Sequence, residues 1–97
     1  MTESVYGLWL SKTKEAYYQL SEEEREAMMA KRHENLAQVG GKDICGYQAY
    51  SSEWEMFGIV EYPNSDAYRE HELFCQSLGW LRYFEMKLVY GVAFESE

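Results

Sequence analysis

Four short β-rich runs interleave with two amphipathic segments, and the runs are apolar on both faces. Residues 4–10 (SVYGLWL) read as a first strand. Strand alternation puts Tyr6, Leu8 and Leu10 on one face and Val5, Gly7 and Trp9 on the other. A sheet built from such strands needs cover on both sides. Residues 11–20 (SKTKEAYYQL) form a connection with helical potential and two adjacent tyrosines, a candidate lid. Ser21 opens a helix through a capping box, in which its hydroxyl accepts a first-turn N–H and the Glu24 side chain reaches back. Glu22, Glu23 and Glu24 complement the positive end of the helix dipole. This helix is expected over residues 21–39, with Gly40-Gly41 ending it.

Residues 43–50 and 53–62 read as a hairpin joined near Ser51-Ser52, and Pro63, the only proline, ends the second strand. Asn64, Ser65 or Asp66 can cap a second helix running to about Leu78 before Gly79. Residues 84–94 are the last strand. The order β-α-β-β-α-β predicts an α+β, ferredoxin-like fold: a four-stranded antiparallel sheet with both helices on one face. Residues 1–97 are expected to form a single domain. Two helices cover one face only, so a symmetric homodimer is the expected cover for the other.

The net charge is −8, and no basic run interrupts it, which argues against nucleic acid and anionic membranes as partners. No stretch is apolar and long enough to cross a bilayer, and no leader pattern opens the chain, so a cytoplasmic protein is expected. Cys45 and Cys75 show no CxxC spacing and are expected to be free buried thiols without activation. Nine tyrosines and three tryptophans are many for this length and suit a pocket or a subunit interface.

The two histidines carry the chemical interest. His33 follows Met29 by four and precedes Leu36 and Ala37. His71 follows Ala67 by four and precedes Phe74 and Leu78. Both therefore fall on apolar helix faces, and both imidazoles are expected to point inward. The plainer alternative for each is a structural contact in the core. Neither H-x-H nor H-x-x-x-H occurs, so no metal site is expected.

Asp66-Ala67-Tyr68-Arg69-Glu70-His71 resembles the Ala-x-x-x-His segment that opens the second helix in antibiotic-biosynthesis-type monooxygenases and related haem-degrading proteins. Trp80-x-x-Tyr83-Phe84-Glu85, with Trp9-Leu10-x-Lys12 and Leu20-Ser21-x-Glu23-Glu24-Arg25, resembles darcynin-like families of the same dimeric α/β-barrel superfamily. Phe74, Cys75 and Gln76 stand where many monooxygenase-type members carry a second histidine.

The resemblance implies a pocket between sheet and helices that takes a hydrophobic small molecule. It implies cofactor-independent monooxygenase, isomerase or cyclase chemistry on an aromatic substrate, with haem binding as a variant. His71 is the expected acid–base group, with His33 as second candidate. Trp9, Tyr17, Tyr47, Trp80 and Tyr83 are the expected substrate-binding residues. The alternatives are a non-catalytic ligand-binding dimer and, for the aromatics, core and interface packing.

Overall fold

A computed structural model describes residues 3–50 and 53–94. The elements are β1 (Val5–Thr13), α1 (Glu15–Tyr18), α2 (Glu22–Gln38), β2 (Lys42–Gln48), β3 (Met56–Tyr62), α3 (Ser65–Ser77), α4 (Trp80–Tyr83) and β4 (Phe84–Gly91). The strands form one antiparallel sheet in the order β2-β3-β1-β4. This is the expected ferredoxin-like α+β arrangement. The proposed turn at Ser51-Ser52 lies outside the described residues.

Local chemistry accounts for the boundaries. Ser21 Oγ accepts from the Glu24 N–H at 3.1 Å, and Glu24 Oε1 accepts from the Ser21 N–H at 2.8 Å, so the capping box is complete. Gly40 ends the helix at φ +83°, which glycine adopts without strain. Asn64 caps α3 by accepting the Ala67 N–H at 2.8 Å, and Gly79 leaves it at φ +79°. The connection after β1 is one helical turn. Arg25 holds it by donating from Nη2 to the Tyr18 carbonyl at 2.8 Å and from Nε to the Tyr17 carbonyl at 3.3 Å.

Strand alternation splits the sheet. Val5, Gly7, Trp9 and Ser11 share the helix-facing side with their partners Tyr62, Val60, Gly58 and Met56 on β3. The core cluster gathers at one end of this side, from Val5, Leu36, Val60, Tyr62 and Ala67. The open side carries Leu8, Leu10, Phe57, Ile59 and Val89, with Leu8 and Val89 counted among the exposed large side chains.

Two glycines face each other across β2 and β3 and have opposite surroundings. A Cβ on Gly58 would lie 2.6 Å from both the Trp9 ring and the Cys45 carbonyl oxygen. A Cβ on Gly46 would meet nothing within 4 Å. Gly58→Ala is expected to destabilise the fold by about 1–3 kcal/mol through overpacking. Gly46→Ala should stay within about 0.5 kcal/mol of the parent. Urea unfolding of the two variants checks the contrast, and equal effects would contradict it.

Candidate functional site

A cleft of about 470 Å³ opens between the helix-facing side of the sheet and α2, α3 and α4. Trp9, Val60 and Leu88 contribute from the sheet, Met29 and Arg32 from α2, His71 and Cys75 from α3, and Trp80 from α4. Ile44 and Leu81 also line it and are half exposed, so the cleft opens to solvent along that rim. Volume and wall chemistry are those of a small-molecule site: mostly apolar, with a few polar groups on one side.

The polar groups include two hydrogen-bonded sets, one around His71 and one between Arg32 and Asp43. His71 is buried, 4% exposed. Its Nδ1 lies 2.8 Å from Asn35 Oδ1, which can only accept, so Nδ1 carries the proton. The Nε2 lone pair then faces Cys75 Sγ at 3.5 Å. Burial, with the Arg32 guanidinium adding to it and Asp43 opposing, lowers the imidazole to about 4, so it is neutral at physiological pH. Burial pushes the Cys75 thiol up to about 11, so at neutral pH it holds its proton and donates toward Nε2.

Arg32 is clamped by Asp43, with Nη1 donating to Oδ2 at 2.9 Å and Nη2 to Oδ1 at 3.0 Å. These hydrogen bonds hold the Asp43 carboxyl below the usual carboxylate range. The pair ties α2 to β2 beside a register shift between Asp43 and Cys45. Trp9 Nε1 is buried and has no hydrogen-bond partner among the described residues.

The expected site residues divide. His71, Trp9 and Trp80 line the cleft. His33 does so as well, but it is an exposed residue whose Nδ1 lies 2.7 Å from the Met29 carbonyl of its own helix. The inward placement expected for it is corrected. Its helix turns Met28, Asn35 and Leu36 inward instead.

Tyr17, Tyr47 and Tyr83 are absent from the cleft wall. Tyr47 pairs with Phe57 on the opposite side of the sheet, their ring centroids 5.2 Å apart, because alternation from Gly46 turns it away. Tyr17 packs on Phe84 at 5.0 Å and under the Arg25 guanidinium at 5.3 Å, so the connection is pinned rather than placed over the cleft. Tyr83 accepts the Lys14 N–H through its carbonyl at 2.8 Å, at the end of α4.

Arg32, Asn35, Asp43 and Cys75 were not among the expected residues. Spacing carried a signal for three of them. Met28, Arg32, Asn35, Leu36 and Val39 make a regular helical stripe, and Cys75 follows His71 by four.

No family profile and no curated protein sequence matches the chain. Solved structures do match. A protein of unknown function from Rhodopseudomonas palustris superposes with a TM-score of 0.71 at 16% identity, covering 99% of this chain and 86% of that one. SnoaB, a cofactor-independent oxygenase from Streptomyces nogalater, gives 0.62 at 11% identity over 98% and 97% of the two chains. A mutant chlorite dismutase from Candidatus Nitrospira defluvii gives 0.72 at 20% identity, and this chain spans 43% of its length. The chain shares a ferredoxin-like α+β fold with these structures. At these identities the likeness establishes fold alone.

The haem variant can be tested on these residues. Axial ligation by His71 needs a ring nitrogen facing open space. Both of its nitrogens face protein groups, so His71 does not fit that role. Among the described residues no three His, Cys, Asp or Glu side chains gather to hold a metal ion. Among the same residues no helix is long and apolar enough to cross a membrane.

His71 makes stability depend on pH. Its folded value of about 4 lies below the ordinary 6.5, so the unfolded chain binds the extra proton first. Its contribution is fully present above pH 6.5 and is lost as pH falls toward 4. The shift corresponds to about 3 kcal/mol. Denaturant titrations at pH 7 and pH 4.5 should show this loss in the parent and not in His71→Gln. An equal loss in both would assign the acid sensitivity to other groups. Asn35→Ala leaves the buried Nδ1–H unpaired and is expected to cost about 1–3 kcal/mol at pH 7.

Proposed function

We propose that this protein is a homodimer that binds a hydrophobic aromatic small molecule in the cleft. The observation that carries the reading is the 470 Å³ apolar cleft with its polar groups drawn together on one wall. Trp9 and Trp80 supply flat surfaces for a ring. His71 is the candidate acid–base group, neutral at physiological pH with the Nε2 lone pair unprotonated. Catalysis of the cofactor-independent oxygenase, isomerase or cyclase kind then needs only ligand, imidazole and solvent or oxygen. The likeness to SnoaB supports that class.

Binding without turnover is the second reading. The low basicity of His71 and the contacts at both of its nitrogens favour it. The open side of the sheet supports the dimer. Leu8, Tyr47 and Val89 on the open side are exposed by 37%, 56% and 54%. Among the described residues no helix crosses that side, and a second copy packed face to face would cover it by symmetry. His33 keeps a role at the rim, as a polar contact for a ligand entering the cleft.

The neutral fluorophore N-phenyl-1-naphthylamine should brighten on binding. Gly46→Phe, projecting into space that is empty in the parent, should weaken that binding by at least about tenfold without loss of fold. Unchanged binding would place the probe elsewhere. Sedimentation at micromolar protein should give twice the 11.5 kDa chain mass, and Leu8→Glu should give the chain mass itself. A monomeric parent would remove the dimer. Turnover of a bound aromatic ligand that disappears in His71→Gln while probe binding persists would select the enzyme. No turnover in either protein would select the binder.

A further inference from the structure

We propose that Asn35, His71 and Cys75 form a nucleophilic relay on the cleft wall, which adds covalently to hydrophobic ligands carrying a conjugated carbonyl. The inference rests on the reading of the cleft as a small-molecule site and names a ligand class for it. Three groups stand in the order that thiol chemistry requires. Asn35 Oδ1 accepts from His71 Nδ1–H at 2.8 Å and fixes the ring orientation and tautomer. Nε2 is left as the base, 3.5 Å from the Cys75 sulfur. Helix α3 holds base and nucleophile four residues apart, so their approach does not depend on a loop. His71 and Cys75 both line the cleft.

The surroundings choose the electrophile. Acyl transfer needs donors preorganised around a tetrahedral oxyanion beside the sulfur. Cys75 sits inside α3, where neighbouring backbone N–H groups are committed to the helix. Conjugate addition makes no such demand. Charge develops on a carbonyl oxygen removed from the attacked carbon, inside a cleft that the Trp9 side chain also lines.

The step is balanced. The sulfur pair forms a bond to the ligand's β-carbon, and the carbon–carbon π pair moves toward the carbonyl as an enolate. The thiol proton passes to His71 Nε2 and then to the ligand's α-carbon. The product is a thioether, and no oxidant, reductant or leaving group is needed.

The relay predicts an unusual pH profile. The charged and titratable groups around it are Arg32 on α2, Asp43 on β2, Tyr62 on β3, and Tyr68 and Glu72 on α3. A buried thiol acting alone reacts through its thiolate, and its rate rises about tenfold per pH unit between 6 and 8. A thiol deprotonated by a neutral imidazole reacts at a rate flat within about twofold over that range.

The experiment follows addition of N-phenylmaleimide by intact mass, in Cys45→Ser protein so that Cys75 is the single thiol. The expected result is one adduct, a flat profile, and a rate at least about tenfold lower in folded His71→Gln. Cys75→Ser in the same background should take no label. The profile of the parent thiol needs no relay variant, so it decides even where His71→Gln fails to fold. A tenfold rise per unit, equal rates in folded His71→Gln, or a native protein that stays inert while the urea-unfolded chain is labelled would each overturn the relay. Those results, with N-phenyl-1-naphthylamine still bound, would leave the cleft reading standing. A flat profile without probe binding would do the reverse.

Discussion

The hydrogen bond between Asn35 and His71 is the contact on which the cleft wall depends. It joins α2 to α3 at 2.8 Å, beside a mostly apolar surface. A charged imidazole there would have to be stripped of water beside the Arg32 guanidinium, so the neutral form prevails. A neutral imidazole still has one donor and one acceptor to satisfy. Asn35 takes the donor, and Cys75 meets the acceptor. Arg32 is spoken for by a bidentate carboxylate, which keeps its charge local. The two long helices are thus fixed to each other and to β2 by polar contacts, where packing alone would have closed the gap.

That gap exists because the helix-facing side is built unevenly. Its core end is filled by Val5, Leu36, Val60, Tyr62 and Ala67. Farther along the strands, Ser11, Met56 and Met86 line the cleft. Gly58 gives up side-chain volume to the Trp9 indole, and Gly46 leaves space open. Met29, Met56 and Met86 line that space, and methionine adapts to irregular contents better than a branched chain. The filled end carries stability, and the open end carries the site.

Much of the fold was legible because its signals are local. The capping box at Ser21, the glycines at 40 and 79 and the Asn64 cap each act within one turn of chain. The site was legible only in part. His71, Trp9 and Trp80 stood out by residue type and face. His33 did not hold its expected place, because an apolar stripe through Met29 was preferred to the one through Met28. The true stripe contains Arg32 and Asn35, and polar residues on a buried face are intelligible only once the cleft and Asp43 are seen. Tyr17, Tyr47 and Tyr83 show the same limit. Aromatic character does not say which side of a sheet a ring will occupy, and Tyr47 is one residue out of phase with the cleft.

Charge adds a last constraint on what enters. The chain carries a net −8, so an anionic ligand is repelled over roughly a Debye length of 8 Å before it reaches the rim. Inside, among the described residues, the Arg32 guanidinium on the wall is already neutralised by Asp43. His71 adds no positive charge above about pH 4, and Glu72 beside it has its carboxyl raised by burial. The wall therefore offers hydrogen bonds rather than ion pairs. A neutral molecule with a ring and an oxygen acceptor loses little on leaving water for such a surface. A carboxylate or phosphate would be desolvated without a free cation to meet it. For the proposed binding site, selectivity for neutral over anionic ligands would follow from the same clamp and the same buried imidazole that hold the helices in place.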